Sequence, residues 1–420
     1  MEKIYIKGFG GIKNSSFEIN KINILIGKSA SGKSVSIKLI YFFKNIFREF
    51  FDCAENEANK HELNKKLLSI FEDFFPSESW KDSIFEIKYF YNSEDFACIH
   101  KATIKSKINI TYSSNVIKQF YNAKNLIKKD KEKFQSKDKF EIYRPDYKVF
   151  EKYLDMVRTV SENSSFSQIF IPAGRSFFAT LQSSIFSFLS NNKAIDPFLI
   201  KFGSFYENIK GISTRPRQSS PKKEDNYIND LILQILGGKY ERIKNKDYIV
   251  HEDKRLINLA YASSGQQETL PLALILKALT RINFIGDGLT LYIEEPEAHL
   301  FPAAQKKVVE LIISVFQLSR CQSQILITTH SPYIISSFNN LLQAGLVYED
   351  ESKREKLSKI ISSYAVIKKG FLNAISVENN SFNDIVDTDY GLIDSIFLDN
   401  ISAIISNEFN ELIELENDEL

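Results

Sequence analysis

INILIGKSASGKSVSIKLI, residues 22–40, decides the fold. A short apolar run enters a Gly/Ser loop, and a helical apolar pattern follows. Strand, loop, helix is the opening of an α/β nucleotide fold. The loop GKSASGKS, residues 27–34, fills every position of G-x-x-x-x-G-K-[S/T] in the context that motif requires. Gly27 and Gly32 permit a tight loop whose backbone N–H groups converge on phosphate oxygens. The helix start adds positive partial charge. Lys33 is placed to reach the β- and γ-phosphates, and the Ser34 hydroxyl to hold magnesium. The expected phosphate-binding residues are Gly27, Ser29, Ala30, Ser31, Gly32, Lys33, Ser34 and Val35.

Two downstream strands carry matching chemistry. LTLYIEEPEAHLFP, residues 289–302, is apolar and then ends in Glu294 and Glu295. Adjacent carboxylates at the end of a buried strand are costly unless a cation or a reactive water needs them. Side chains alternate along a strand, so the two point differently. Glu294 is expected at magnesium, directly or through water, and Glu295 at the attacking water. SQILITTHSP, residues 323–332, ends in Thr328, Thr329 and His330. Open α/β sheets place ligands at such carboxyl ends. A neutral His330 there can hydrogen-bond the γ-phosphate or the attacking water. His299 reads equally as a packing or a dimer-contact residue.

YASSGQQETL, residues 261–270, joins a strand-like run to an apolar helical run. A helix start needs one capping residue, not five special ones. Ser and Gly at a helix start can also bind phosphate. Ser263, Ser264, Gly265 and Gln266 are therefore expected to contact the γ-phosphate of a nucleotide held by a second copy. Two chains would then sandwich two nucleotides head to tail, with isologous symmetry.

The chain has 420 residues, 43% of them hydrophobic, enough for two or three domains. Its net charge is +1, unevenly spread. Residues 370–420 hold 12 of the 53 acidic residues and none of the 54 basic ones beyond position 369. A basic body with an acidic tail suits a polyanion, a basic partner, or a merely solvated tail. Cys53, Cys98 and Cys321 form no metal-ligand spacing, which fits a reducing compartment. MEKIYIKGFG does not read as a signal peptide, and no stretch has the apolar length of a membrane span, so a cytoplasmic protein without membrane contact is expected.

The remaining pattern gives strands at 2–7 and 16–26, helix at 45–82, antiparallel strands at 83–114, and helix at 115–160. Within that helix, residues 118–139 hold eight Lys against three acids, without a sustained heptad. A buried-type strand at 167–178 runs into a turn. STRPRQSSPKKED, residues 213–225, reads as a mobile loop. Strands follow at 239–262. From 263 onward helix and strand alternate, which argues for a parallel sheet.

GKSASGKS, ASSGQQ, LTLYIEEPEAHLFP and ILITTHSP together resemble the ABC-type ATPase clan, closest to its SMC/RecF/OLD branch. Within it they resemble the short AAA-type ATPases of bacterial anti-phage operons, such as the Septu and PARIS subunits. The resemblance covers residues 1 to about 335. It implies an ABC-type P-loop ATPase head with a mixed or parallel sheet, an antiparallel β subdomain and helical insertions. That head would occupy 1–335, with a β/helical insertion at about 45–165 and a helical lobe at about 175–260; 336–420 would be an acidic partner-docking or structural region. By position it implies that Ser263, Gly265 and Gln266 are signature residues, with Ser264 replacing a glycine. Glu295 would be the catalytic glutamate, His330 the switch histidine, and residues 297–300 the dimer-contact loop. ATP and Mg2+ are the implied cofactors. Gln168 is the strand-associated candidate for the family's glutamine loop. Arg175, in IPAGR, resembles a recurrent arginine with a phosphate or interlobe role.

The expectation is a dimeric, slow ATPase acting as a nucleotide-gated switch for a separate effector in anti-phage defence. A RecF/SMC-like DNA repair ATPase is the alternative, its lysines giving salt-dependent contacts to phosphate backbones. Ser264 and the long span from Gly27 to Ser263 argue against a transporter subunit. An appended OLD-like nuclease would need more than the roughly 85 residues after the histidine motif, and DTDYG (387–391) reads better as a turn. The segment IDSIFLDNISAIISNEFNELIEL is an amphipathic helix candidate that could dock the effector or lie on the body.

Overall fold

The computed structural model describes residues 1–135, 145–180, 195–213, 222–244, 246–282, 288–319, 321–387, 389–394 and 406–413. A six-stranded sheet forms the centre, in the order β14-β13-β3-β12-β11-β7. Its strands are β3 (Ile22–Ile26), β7 (Ser167–Ile171), β11 (Gly288–Glu294), β12 (Gln322–Thr329), β13 (Leu372–Glu378) and β14 (Ser381–Asp384). All pairings are parallel except the β13–β14 hairpin. Parallel strands are covered on both faces, and β3 and β11 are buried along their whole length.

Alternation splits the core in two. Ile22, Ile24, Ile26, Leu291, Ile293, Ile325 and Ile327 face one way. There they meet helices α8 (Ser264–Leu279), α9 (Pro302–Leu318) and α10 (Pro332–Tyr348). Leu25, Tyr292, Leu326 and Phe170 face the other way, onto α1 (Lys33–Glu55). The far side of α1 meets a five-stranded antiparallel sheet, β2-β1-β4-β5-β6. That sheet comprises β1 (Glu2–Phe9), β2 (Ile12–Ile19), β4 (Phe85–Phe90), β5 (Phe96–Lys101) and β6 (Asn109–Tyr112). A buried ion pair joins the layers: Lys44 of α1 donates to Glu2 of β1 at 3.0 Å and to Gln324 of β12 at 2.6 Å. Burial pulls the Lys44 ammonium pKa down, and Glu2 opposes that.

Helices α2 (Lys60–Phe74), α3 (Ser114–Gln135) and α4 (Tyr147–Val157) flank this layer. The short α5 (Phe177–Thr180) precedes α6 (Pro197–Ser213) and α7 (Lys223–Leu236). A three-stranded sheet holds β8 (Lys239–Ile243), β9 (Lys246–Val250) and β10 (Leu256–Asn258).

Three expectations need correction. The run 16–26 is two strands, because Asn20 turns the chain, accepting from Lys21 N–H and donating to the Gly370 carbonyl. Of the loop expected at 213–225, residues 214–221 lie outside the described residues; Lys223, Glu224 and Asp225 form the first turn of α7. Residues after 335 are not set apart from the head. β13 pairs with β3, from Leu372 beside Ile22 to Ser376 beside Ile26, and so borders the phosphate-loop strand. The Val377 carbonyl lies over Gly27, and Asn380 donates to the Gly11 carbonyl at 2.6 Å. Past Asp394, residues 406–413 form an exposed helix, and the rest of the amphipathic candidate lies outside the described residues.

Candidate active site

The site forms where β3, β12 and β11 end side by side. Register places Ile26 beside Thr329 and Glu294 beside Thr328. The three sequence motifs therefore meet at one sheet edge.

Between β3 and α1 the loop reverses tightly. Gly32 has φ 104°, which glycine tolerates, and a Cβ there would lie 2.6 Å from the Gly10 carbonyl oxygen. Lys33 is 3% exposed. Its ammonium donates to the Gly27 carbonyl at 2.7 Å and the Lys28 carbonyl at 2.8 Å. It also lies 3.4 Å from Nδ1 of His330. Burial lowers the Lys33 pKa, while Glu295 and Glu297 pull it back up.

His330 Nε2 lies 3.4 Å from the Glu295 carboxylate. Lys33, His330 and Glu295 thus form one chain of polar contacts. The His330 backbone N–H and the Thr329 hydroxyl both donate to Glu297 Oε1 at 2.8 Å. Glu297 holds the loop carrying the histidine, a role within this chain that motif spacing did not suggest. Burial raises the Glu297 pKa, and these donors offset part of the rise.

Glu294 is 5% exposed. Its Oε2 accepts from Ala173 N–H at 3.2 Å, whereas buried Oε1 has no partner. Burial raises its pKa; Lys38, the Ala173 N–H and the Ser34 hydroxyl favour the charged form. An orphaned, buried carboxylate oxygen beside a serine hydroxyl is a hard oxygen donor set, and it fits magnesium. Ser34 and Glu294 would hold that ion.

Glu295 sits just past the strand with φ 44°, a left-handed conformation costly for glutamate. Its side chain is 38% exposed, unlike that of Glu294. Alternation and the turn give the two acids separate surroundings.

Ser263 caps α8. It accepts from Gln266 N–H at 3.3 Å, and the Gln266 amide oxygen accepts from Ser263 N–H at 3.2 Å. The Gln266 amide nitrogen donates to the Leu236 carbonyl at 2.7 Å. Gln266 is thus occupied within its own chain, and the groups left facing outward are Ser263 and Ser264. Gly265 is buried against the loop after Glu295, where a Cβ would lie 2.6 Å from the His299 carbonyl oxygen.

Two candidates differ from expectation. Gln168 lies beside Thr290, near the opposite end of β11 from Glu294. Its amide oxygen accepts from the Tyr292 hydroxyl at 2.7 Å and its nitrogen donates to the Phe166 carbonyl. It packs at the far end of the strand pair and does not reach the site. Arg175 is wholly buried and spends its donors on main-chain carbonyls, which excludes a phosphate contact and leaves an interlobe one. In the DTDYG stretch Asp387 Oδ1 accepts from the N–H groups of Asp389 and Tyr390, a turn. Among the described residues no helix is long and apolar enough to cross a membrane.

Residues 1–335 match a family model described as an AAA ATPase domain. No curated protein matches the chain. An SMC head bound to the C-winged helix domain of ScpA is 11% identical, with 91% of this chain and 96% of that one covered at a TM-score of 0.42. The SMC head domain from Thermotoga maritima is 13% identical, covering 91% and 97% at 0.34. The recombination mediator protein RecF is 14% identical, covering 91% and 97% at 0.30. With its phosphate loop and paired acids at the strand ends of one mixed sheet, the chain belongs to the AAA ATPase domain family.

Proposed function

We propose that this ATPase works as a nucleotide-gated switch, closing as a head-to-tail dimer to control a separate effector protein in defence against phage. The observation that best supports the chemistry is the chain Lys33–His330–Glu295, with 3.4 Å between neighbouring side chains. On nucleotide binding, Lys33 exchanges its loop carbonyls for the β- and γ-phosphate oxygens. Glu295 is half exposed and faces His330, so it can take a proton from a water aligned with the γ-phosphate. His330 senses the same phosphate from the other side and is steadied by Glu297. Magnesium, when bound, would neutralise developing phosphate charge at Ser34 and Glu294.

Ser263 and Ser264 open α8 toward solvent, together with the α8 N-terminus. Around them Tyr261 is 86% and Phe301 80% exposed. Two large apolar side chains beside a phosphate-binding helix start support coverage by a second copy on closure. The effector and the defence role rest on the resemblance to anti-phage ATPases. Light scattering on Glu295→Gln, with and without Mg-ATP, tests the switch together with copurification of operon neighbours. A doubling of mass with ATP, or a stable effector complex, is expected. A monomer indifferent to ATP refutes the dimeric switch.

One observation favours a RecF-like role instead. Lys118, Lys128, Lys129 and Lys133 are exposed along α3. Duplex binding that weakens steeply with salt and depends on these lysines would support it.

A further inference from the structure

We infer that Arg175 is a positioning residue that fixes the backbone of Glu295 and ties it to the helix beginning at Ser263. This rests on the reading of Glu295 as the general base. Nη1 of Arg175 donates to the Glu294 carbonyl at 2.7 Å, and Nη2 to the Glu295 carbonyl at 3.0 Å. Those carbonyls belong to the peptide groups on either side of the Glu295 α-carbon. Gripping both restrains φ and ψ of that one residue, which is the residue held at φ 44°. A left-handed glutamate is strained and persists only where its surroundings over-determine it. The guanidinium supplies that restraint.

The same group reaches the opposite element. Nε donates to the Glu268 carbonyl at 3.0 Å, and Nη1 also donates to the Pro172 carbonyl at 2.8 Å. The Glu268 carboxylate lies 3.6 Å from Nε and accepts from the N–H groups of Arg175 and Ser176 at 2.8 and 3.0 Å. Both side chains are buried, at 0% and 3% exposure. Glu268 lies on α8, five positions after the Ser263 cap. A shift of that helix start, such as docking on a second copy's nucleotide would impose, moves the anchor of Arg175. The Glu295 turn moves with it. The serine helix that serves the partner's site is thereby mechanically joined to the general base of its own site.

Lysine keeps the charge but lacks the planar fork that holds several carbonyls at once. Arg175→Lys should therefore misplace Glu295 without touching the phosphate loop. Phosphate release under Mg-ATP gives kcat, and a fluorescent ATP analogue gives Kd. The expected result is a fall in kcat of about 30- to 100-fold, as slight misplacement of a reacting group produces. Kd should stay within about twofold, since no phosphate contact is removed. Glu268→Gln, which keeps the shape and removes the charge, should lower kcat by roughly 3- to 10-fold and abolish any cooperativity in ATP. Wild-type kcat in both variants overturns the inference, and so does parallel loss of kcat and Kd. Should Arg175→Lys not fold, Glu268→Gln decides alone. Glu295→Gln separates the two layers. Wild-type turnover in that variant refutes the general base itself; an inactive Glu295→Gln beside fully active Arg175→Lys and Glu268→Gln refutes only the strut.

Discussion

Gly265→Ala puts one methyl group where the serine helix meets the loop following Glu295. Two effects oppose each other. Alanine in place of glycine near a helix start gains up to about 1 kcal/mol of helix propensity. The added Cβ, however, would sit 2.6 Å from the His299 carbonyl oxygen and 3.4 Å from Leu300 Cδ2. Ordinary contact requires separation by roughly another 0.5–0.8 Å, and overpacking of this kind costs about 1–3 kcal/mol. His299 is itself left-handed, at φ 59°, so its carbonyl has little freedom to turn away. The net loss is about 0–2 kcal/mol, a melting shift of a few degrees at most for a chain of this size. Catalysis should suffer more. The loop that must yield also holds Glu295 and Glu297, and displacement of reacting groups by about 1 Å costs on the order of 100-fold. The assay pairs steady-state ATP turnover with nucleotide Kd and thermal melting. The expected pattern is a kcat reduced 10-fold or more, a Kd near wild type, and a small melting shift. Ser264→Ala, one residue earlier and exposed, is the control for stability and should melt within about 0.5 kcal/mol of wild type. Wild-type kcat in Gly265→Ala would refute the claim that this contact locates the catalytic loop.

Other substitutions probe separate links. Lys33→Ala removes the ammonium held by the Gly27 and Lys28 carbonyls and should weaken ATP binding more than tenfold by calorimetry; unchanged affinity would move the phosphates elsewhere. Glu294→Gln carries a pH signature. The folded-state pKa of Glu294 is raised by burial, so its stabilising share is complete below the unfolded pKa and is lost as pH rises through the folded one. In chelator at about pH 7 the glutamine variant should melt above wild type, with the gap closing toward about pH 4, and Mg-ATP should reverse the order. A gap that is independent of pH would contradict the burial argument. Gly345→Ala tests how firmly the later residues join the head. Alanine gains about 1 kcal/mol in the helix, but its Cβ would overlap the Ile367 backbone carbonyl, so urea unfolding should show a net loss of about 1–2 kcal/mol or more.

What the sequence disclosed was local. The phosphate loop, the Glu-Glu strand end and the histidine strand end each carry a complete pattern within about a dozen residues. Their meeting at one sheet edge follows from parallel strand order. The acidic run after 369 drew attention to charge, whereas the strand Leu372–Glu378 within it is ordinary in composition. Its place beside Ile22–Ile26 depends on a pairing about 350 residues apart, which no short window contains. Gln168 misled for a related reason. A glutamine on a strand says nothing of which end of the strand it occupies until the register is fixed.

Arg175 marks a different limit. The resemblance offered Arg175 a phosphate or an interlobe role, and the phosphate reading comes first to mind because charge is the property a sequence displays. Its hydrogen bonds go instead to the carbonyls of Pro172, Glu268, Glu294 and Glu295. Main-chain carbonyls are identical at every position, so no residue type advertises them as acceptors. The one legible trace is Glu268, an acid just before the apolar run LPLALIL of the helix and buried with it. A buried carboxylate demands a partner, because leaving it unpaired is costly. Within reach of that helix the guanidinium satisfies the demand and spends its remaining donors on the turn that carries Glu295. Burying Glu268 and bending Glu295 are thus two costs offset by one cation, and the stability of each depends on the other. The proposed coupling between the serine helix and the Glu295 turn would then need no moving part beyond a side chain already held at both ends.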